Sequence, residues 1–354
     1  MPRITVLPGD GIGPEVAGEA VRVLIAVGER FGFEPTLTYA LVGGAALDEF
    51  DTPLPEPTFE ACKAADAVLL GAIGGPRWDH ETGDRRCEAA LLGLRKRLGV
   101  FANLRPVLVP AGLSGQSPVR ADRVDGTDIL IVRELTGGIY FGAPRKLSAA
   151  TASNTMVYHA SEIRRIARVA FAWAEKRRGR VTSVDKANVL EVSQLWRRVV
   201  TQVHREEFAH LALDHLYVDN AAMQLVLRPG RFDVILTGNL FGDILSDLAA
   251  TLPGSLGLLP SASLGGQIGL FEPVHGSAPD IAGLGIANPA GIMLSAAMML
   301  DALDLSDAAH AVRSGVLAAL GLGVRTRDLG GTASTGNFAN AVISHIRASA
   351  LAAA

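Results

Sequence analysis

Two aspartates, Asp243 and Asp247, stand four residues apart just after a short apolar run that is predicted to be a buried strand. If a helix follows Gly238 with Asn239 as its N-cap, the two carboxylates lie one above the other on it. Like charges at this spacing cost about 0.2–0.5 kcal/mol unless a cation lies between them. The pair fits either two solvated carboxylates or part of a site for a hard divalent cation at the carboxyl end of a strand.

Three arginines could supply positive charge for an acidic substrate. Arg95 lies in the run EAALLGLRKR, Arg105 lies in NLRP, and Arg133 ends a predicted strand. A guanidinium binds a carboxylate through two parallel hydrogen bonds, so three converging arginines would hold a di- or tricarboxylate. Each arginine taken alone is more simply a surface cation or a member of a structural ion pair.

Three further polar residues are candidates for chemistry. Lys186 comes directly after an apolar strand, and a lysine near a cation can have its pKa lowered toward neutrality and act as a base. Tyr140 lies in the glycine-rich run GGIYFG, although a packing role is the simpler interpretation. Asp219, considered alone, is predicted to cap the helix that follows it.

A glycine- and proline-rich loop spans residues 272–283 and carries His275, Ser277 and Asp280, with Asn288 just beyond it. Such a loop can surround a nucleotide with backbone amides and offer an acid to ribose hydroxyls, but an ordinary long loop has the same composition. The glycine turn at residues 9–15 lacks the G-x-G-x-x-G spacing of a dinucleotide-binding fingerprint, which argues against an ordinary Rossmann site.

The elements that position these residues alternate along the chain, which predicts an α/β architecture with a largely parallel sheet. The predicted strands are residues 4–7, 35–39, 67–70, 128–132, 181–184, 215–218 and 233–236. Helical periodicity is clearest over residues 162–176 and 192–208. Ile244, Leu245 and Leu248 are predicted to face the core, and residues 143–155 are predicted to form a projecting loop or arm.

Composition excludes several broad classes of function. The chain has 354 residues, 49% of them hydrophobic, which is enough for two domains with substantial cores. Its formal net charge of −3 does not provide the excess of positive charge that is typical of proteins that bind nucleic acid or an anionic membrane. Its two cysteines, Cys62 and Cys87, form neither a metal cluster nor a disulfide framework. The chain has no signal-peptide pattern and no bilayer-length apolar segment, so we expect a cytoplasmic protein.

Together these stretches resemble the isocitrate/isopropylmalate family of β-decarboxylating dehydrogenases. The likeness runs in order along nearly the whole chain, through LPGDGIGPE (7–15), VDKANVL (184–190), GNLFGDILSD (238–247), SLGLLPSA (255–262) and EPVHGSAPD (272–280). The resemblance implies a two-domain α/β fold of the isocitrate/isopropylmalate dehydrogenase type, not an ordinary Rossmann fold. Residues 1–100 plus 254–354 would bind NAD, and residues 101–253 would carry the substrate and metal residues and the dimer interface.

The resemblance also implies a role for each candidate residue. The acid–base pair would be Tyr140 and Lys186. The metal ion, Mg²⁺ or Mn²⁺, would be held by Asp219, Asp243 and Asp247. The substrate would contact Arg95, Arg105, Arg133, Asp219, Glu88, Leu91, Leu92 and Val189. The cofactor would contact His275, Gly276, Ser277, Ala278, Pro279, Asp280, Ile281 and Asn288. The protein would be a homodimer in which Lys186 and Asp219 reach into the partner's active site.

The activity implied is NAD-dependent oxidative decarboxylation of (2R,3S)-3-isopropylmalate to 2-oxoisocaproate, with CO₂ and NADH, in leucine biosynthesis. Apolar Leu91, Leu92 and Val189 suit an isopropyl group, and Asp280 would repel the 2′-phosphate of NADP. A preference for D-malate, tartrate, homoisocitrate or isocitrate stays open. Metal-dependent phosphoryl transfer is the alternative from another class, and the lack of a G-x-x-x-x-G-K-[ST] loop counts against it.

Overall fold

The computed structural model describes residues 1–110 and 112–348. The chain forms two compact units, a terminal unit of Met1–Val100 with Gly254–Ala354 and a central unit of Phe101–Pro253. The terminal unit is therefore built from both ends of the chain. Among the described residues, no helix is long and apolar enough to cross a membrane.

Strands and helices alternate through most of the described chain. The strands are β1 (Arg3–Gly9), β2 (Thr36–Tyr39), β3 (Ala67–Ala72), β4 (Ala102–Leu108), β5 (Asp128–Glu134), β6 (Arg145–Leu147), β7 (Ala152–Asn154), β8 (Arg180–Asp185), β9 (Ala212–Tyr217), β10 (Val234–Thr237), β11 (Pro260–Leu264) and β12 (Gly269–Pro273). The helices are α1 (Gly13–Phe31), α2 (Gly44–Phe50), α3 (Glu56–Ala64), α4 (Cys87–Leu98), α5 (Ala121–Val124), α6 (Ala160–Glu175), α7 (Glu191–Glu207), α8 (Val218–Leu227), α9 (Asn239–Ala250), α10 (Ala290–Ala302), α11 (Ser306–Gly321) and α12 (Thr335–Ala348).

In the terminal unit the strands follow the order β2-β1-β3-β12-β11. All of these pairs are parallel except β11 with β12, which is antiparallel. Strand β3 is buried along its whole length, as expected for a parallel strand with a near-continuous apolar sequence. Helices α1, α10, α11 and α12 pack on one another, and α1 and α10 also pack on the strands. Helix α1 has a proline in its first turn and ends at Gly32 in the left-handed conformation, so its own sequence defines both ends.

In the central unit the strands follow the order β4-β5-β10-β8-β9. Strands β5, β10, β8 and β9 run parallel, and β4 is antiparallel to β5. Thr237, the last residue of β10, pairs with Arg133 of β5 on one side and with Val184 of β8 on the other. The chain segments that leave these three strands therefore start from the same edge of the sheet, which is where α/β folds build their sites.

The mixed α/β fold and its largely parallel pairing confirm the prediction from sequence. The predicted arm at residues 143–155 contains a two-stranded antiparallel hairpin, β6 with β7. Strands β4, β11 and β12 were not predicted. Three local predictions are wrong: Val218 starts α8 and does not end a strand, Gly238 and not Asn239 is the N-cap of α9, and Ile244 is exposed.

The core of the terminal unit can be tested at Phe338, a fully buried side chain of α12. Phe338→Ala is expected to lower the free energy of unfolding by about 3–5 kcal/mol, because it loses buried apolar area and leaves a cavity. Urea unfolding followed by circular dichroism measures the change. The matched control is Phe50→Ala in the same unit, where the side chain is 52% exposed and a change within about 0.5 kcal/mol is expected. Equal losses in the two variants would contradict this core.

Candidate active site

A cluster of charged side chains lies where β5 ends and α9 begins in the central unit. Nη1 of the buried Arg133 donates a hydrogen bond to Oδ1 of Asp243 on α9. The hydroxyl of Tyr140 donates to the other oxygen of that carboxylate at 2.9 Å. Gly242 makes room for the arginine, since a Cβ there would come within 2.7 Å of Arg133 Cγ. Three of the residues predicted for the site are thus in direct contact.

A second arginine reaches the same helix from β4. Nη1 of Arg105 donates to Oγ of Ser246 at 2.6 Å and to Oδ1 of Asp247 at 3.4 Å. Nη2 of Arg105 also lies 3.8 Å from Oδ1 of Asp243. The repulsion between the two aspartates is therefore relieved by two arginines of the same unit. The further relief expected from a bound divalent cation stays a prediction.

The surroundings of Asp243 and Tyr140 shift their pKa values in opposite directions. Burial alone would raise the pKa of Asp243, but the charges of Arg133 and Arg105 outweigh it and hold that pKa below its ordinary value. Burial and the nearby Asp243 carboxylate raise the pKa of the Tyr140 hydroxyl. At neutral pH the carboxylate is therefore ionised and the phenol keeps its proton, so Tyr140 is equipped to act as an acid.

Lys186 and Asp219 form a separate pair in the central unit. Lys186 follows β8, and its Nζ donates to Oδ1 of Asp219 on α8. This hydrogen bond lowers the pKa of Asp219. Asp219 lies within the first turn of α8, whose N-cap is Tyr217, so the cap considered from sequence is not formed. The predicted base, Lys186, and the predicted metal ligand, Asp219, are therefore in direct contact.

The three predicted metal ligands, Asp219, Asp243 and Asp247, do not form a cluster within a single chain. Among the described residues, no three His, Cys, Asp or Glu side chains form a group that could hold a metal ion. Asp243 and Asp247 share a face of α9, and the side chain of Asp247 is 65% exposed. Carboxylate oxygens of this kind suit Mg²⁺ or Mn²⁺. The pair therefore fits a divalent cation once a further oxygen ligand comes from elsewhere, as a shared site between subunits would provide.

Helix α4 carries the candidate substrate residues of the terminal unit. Nη2 of the buried Arg95 donates to Oε1 of Glu272 at 3.0 Å, a partner that was not predicted. Nε of Arg95 is buried and has no hydrogen-bond partner in the part of the chain that the structure describes. Leaving such a donor unpaired costs about 1–3 kcal/mol, so an acceptor from a ligand would stabilise it. Leu91 and Leu92 on the same helix are partly exposed.

The predicted cofactor loop follows β12 and is held by the N-terminal glycine turn. The carbonyl of Ser277 accepts a hydrogen bond from the backbone N–H of Ile12 at 2.8 Å. Gly11 has φ +58°, and a Cβ there would lie 2.0 Å from the same carbonyl oxygen. Any other residue at position 11 would collide with the loop. The turn that lacks a Rossmann fingerprint therefore supports the loop of residues 275–281.

His275 gives this loop an unused polar atom. Its Nδ1 lies 2.9 Å from the carbonyl oxygen of Gly276, so Nδ1 carries the proton and Nε2 is an acceptor. Burial lowers the pKa of His275, which favours the neutral ring. Nε2 is buried without a hydrogen-bond partner among the described residues. A donor on a bound nucleotide would satisfy it, so the loop fits the predicted cofactor.

The other predicted cofactor residues differ in how far their side chains are engaged. Gly276, Pro279 and Asp280 are exposed, and Ala278 and Ile281 are partly exposed. Oδ1 of the buried Asn288 accepts from the backbone N–H of Ala290 at 3.0 Å, and its Nδ2 donates to Asp328 at 2.9 Å. The side chain of Asn288 thus holds the start of α10.

Glu134 is a residue of the site that was not predicted. Its fully buried carboxylate accepts hydrogen bonds from the backbone N–H groups of Thr136 and Gly137, at 2.9 and 2.7 Å, and pairs with Arg165 at 3.5 Å. Burial nevertheless raises its pKa. The signal in the sequence was an acidic residue directly before the glycine turn that carries Tyr140. Glu134 therefore shapes that turn.

Known proteins give consistent matches along almost the whole chain. The family model described as isocitrate/isopropylmalate dehydrogenase matches residues 3–342. The 3-isopropylmalate dehydrogenase of Salinibacter ruber is 65% identical over 326 residues, which cover 92% of this chain and 89% of that protein. The 3-isopropylmalate dehydrogenase of Oleidesulfovibrio alaskensis is 59% identical over 340 residues, 93% and 95% of the two chains. The isocitrate dehydrogenase structure from Methylococcus capsulatus has a TM-score of 0.88 at 36% identity, over 98% and 100% of the chains.

The cluster around Asp243 predicts a selective effect of Asp243→Asn. Removing one of the two negative charges on α9 is expected to weaken Mn²⁺ binding by about tenfold or more, or at least ~1.4 kcal/mol. Calorimetric titration with Mn²⁺ measures this, and titration with NAD⁺ is expected to show nearly unchanged affinity. The exposed Asp122, which lies outside the cluster, gives the control Asp122→Asn. If NAD⁺ affinity fell as much as Mn²⁺ affinity, Asp243 would not belong to a metal site.

Proposed function

Because this chain belongs to the isocitrate/isopropylmalate dehydrogenase family, we propose that it oxidises 3-isopropylmalate with NAD⁺ and releases CO₂. The product is 2-oxoisocaproate, so the enzyme serves leucine biosynthesis, and we place it in the cytoplasm. The observation that carries the proposal is the meeting of Arg105, Arg133 and Tyr140 on the Asp243–Asp247 face of α9. This arrangement combines carboxylate binding, cation binding and a proton donor.

Three arginines bind the carboxylates of the substrate in this proposal. Arg105 and Arg133 carry the charge in the central unit, and Arg95 carries it in the terminal unit. The unpaired Nε of Arg95 supports this role, since a substrate carboxylate would supply the acceptor that the described residues do not. The arginines hold the substrate by its charged ends and leave its side group to be recognised separately.

Apolar side chains select the isopropyl group. Leu91 and Leu92 are partly exposed on α4, and Val189 is 60% exposed in the central unit, so all three are available to a ligand. Isocitrate carries a carboxymethyl group in place of the isopropyl group, and the exposed Glu88 on α4 would repel its carboxylate. The relatives named for 3-isopropylmalate are 65% and 59% identical, against 36% for the isocitrate dehydrogenase structure. These three observations favour isopropylmalate.

The proton transfers fall to Lys186 and Tyr140. A divalent cation held by Asp243 and Asp247 would supply a Lewis acid for the oxygen on C2, and NAD⁺ held by the loop of residues 275–281 would supply the hydride acceptor. Lys186 accepts the proton of the C2 hydroxyl, and the adjacent Asp219 carboxylate stabilises the ammonium group that results. Tyr140, whose pKa is raised by burial and by Asp243, donates a proton to the carbon that loses CO₂.

The cofactor and the cation are assigned from the chemistry of their candidate ligands. The exposed Asp280 is available to ribose hydroxyls and would repel the additional phosphate of NADP, which favours NAD. Nε2 of His275 offers an acceptor in the same loop. Asp243 and Asp247 would hold Mg²⁺ or Mn²⁺ through carboxylate oxygens, with Asp219 of the partner subunit as the third ligand.

A homodimer would complete this site. Helices α8 and α9 pack together and leave four apolar side chains 40–58% exposed, Met223, Val226, Leu227 and Ile244. Exposed apolar side chains on two helices that pack together are typical of a subunit contact. The same two helices carry Asp219, Asp243 and Asp247, so a dimer formed here would bring metal ligands of the two subunits toward each other. This is the partner that the proposal requires.

The division of labour between Lys186 and Tyr140 can be tested with two substrates. Lys186→Met is expected to lower NADH formation from isopropylmalate by about 10²–10⁴-fold, yet still to decarboxylate the β-keto acid when that is supplied. Tyr140→Phe is expected to slow product formation from both. NADH absorbance and CO₂ release measure the two steps, and EDTA is expected to abolish wild-type turnover. Full overall turnover by Lys186→Met would contradict the assignment.

Sharing of the site between subunits can be tested by mixing two variants, at a Mn²⁺ concentration too low to load Asp243→Asn. A hybrid of Lys186→Met with Asp243→Asn has one site with both residues intact, provided that Lys186 serves the partner's site. Random reassortment makes half of the dimers hybrids, so about a quarter of wild-type activity is expected. Each variant mixed with itself is the control. If activity does not return although mass spectrometry shows hybrids, each site uses its own Lys186.

A further inference from the structure

Asn239, the first residue of α9, uses every hydrogen-bonding position of its side chain. It is 1% exposed. Its Oδ1 accepts hydrogen bonds from Nε of Arg133 at 3.0 Å and from Nη2 of Arg133 at 2.8 Å. Its Nδ2 donates to the backbone carbonyls of Leu135 at 3.0 Å and Gly137 at 3.3 Å. One neutral side chain therefore joins the arginine at the end of β5 to the turn that leads to Tyr140.

Only a carboxamide of this length satisfies both sets of partners. The guanidinium offers only donors and the two carbonyls offer only acceptors, so the amide has one permitted orientation. An aspartate would place a carboxylate oxygen against the carbonyls of Leu135 and Gly137 and would leave them without a donor. It would also put a second negative charge on Arg133, which already pairs with Asp243. Asparagine holds the arginine without neutralising it.

The backbone at Asn239 is fixed as firmly as its side chain. Its N–H donates to the hydroxyl of Tyr158 at 2.7 Å. The Tyr158 ring lies against three glycines, and a Cβ at Gly137, Gly138 or Gly238 would come within 2.6–3.0 Å of its atoms. The edge of the ring also meets Trp196, with 5.4 Å between ring centroids. Tyr158 thus sets the position from which Asn239 reaches Arg133.

We propose that Asn239 is a positioning residue that fixes the guanidinium of Arg133 for the substrate carboxylate and ties it to the Tyr140 turn. Asn239 occupies the edge of the guanidinium formed by Nε and Nη2, and Asp243 occupies Nη1. The plane of the group is therefore set from two sides by residues of the same helix. The inference rests on the proposed function in one respect, that Arg133 binds a carboxylate of the substrate.

Kinetics of Asn239→Ala and Asn239→Asp test the effect on the substrate. The KM for isopropylmalate is expected to rise on the order of 10- to 100-fold, as when outer partners of a ligating group are removed. The KM for NAD⁺ is expected to stay the same, which a general loss of structure would not allow. In an Arg133→Ala background, Asn239→Ala is expected to cause little further loss, because the two residues act as one unit. Thr251→Ala, an exposed change at the end of α9, is the control.

A second readout does not depend on turnover. In ¹⁵N–¹H spectra the Nε–H signal of Arg133, identified by its loss in Arg133→Lys, is expected to shift and exchange faster with water in Asn239→Ala. If wild-type protein did not oxidise isopropylmalate, the proposed function would fail, and this signal would still decide the role of Asn239. An unchanged signal with an unchanged KM would overturn the inference. If Asn239→Ala did not fold, Asn239→Asp, which keeps the size of the side chain, would carry both measurements.

Discussion

The ion pair between Arg133 and Asp243 is the contact on which the charged cluster of the central unit depends. Each partner would be unfavourable without the other. Removing one partner of a buried ion pair leaves an uncompensated charge and destabilises a fold by about 3–5 kcal/mol. Two aspartates one helical turn apart repel each other. Gly242 lets the arginine lie close to α9, and Asn239 sets the plane of its guanidinium. The ion pair thus links the end of β5 to the first turns of α9.

The balance of charge in this cluster bears on what it can bind. Two arginines face two aspartates, so the protein groups nearly cancel one another. A dicarboxylate alone, or a divalent cation alone, would disturb that balance. The two together add almost no net charge, because a doubly charged anion and a doubly charged cation compensate each other. The cluster is therefore better suited to a metal–substrate pair than to either partner by itself.

Much of the central sheet was predictable because its parallel strands are short apolar runs bounded by polar residues. The ends of β5, β8 and β10 were placed correctly to within a few residues, and the candidates that follow them came from that placement. Strand β4 was missed because Asn103, Arg105 and Pro106 interrupt its apolar pattern. Arginine in a strand is compatible with burial only when distant residues pair with it, and no local pattern shows those partners.

Two of the misses, at Asn239 and Arg95, share this physical cause, a long-range partner that overrides a local preference. Asparagine is favoured at helix N-caps, but the side-chain oxygen of Asn239 accepts hydrogen bonds from Arg133, 106 residues away in sequence. The N-cap residue of α9 is Gly238. Arg95 pairs with Glu272 across 177 residues, which no spacing rule anticipates. Ile244 is apolar yet exposed, since its position on α9 points away from the core of its own unit. Family resemblance could supply roles for residues but not these contacts.

The order of the terminal strands, β2-β1-β3-β12-β11, has a consequence for how the protein is made. On the ribosome, β1, β2 and β3 emerge first, but β3 lacks its neighbour β12 until residue 273 has been synthesised. The central unit, by contrast, is complete in sequence at Pro253. The middle of the chain can therefore fold before its beginning, against the usual N-terminal-first order. During that interval one edge of the apolar strand β3 is unpaired. An unpaired strand edge can pair with another chain, so the nascent chain is exposed to aggregation until β12 has been made.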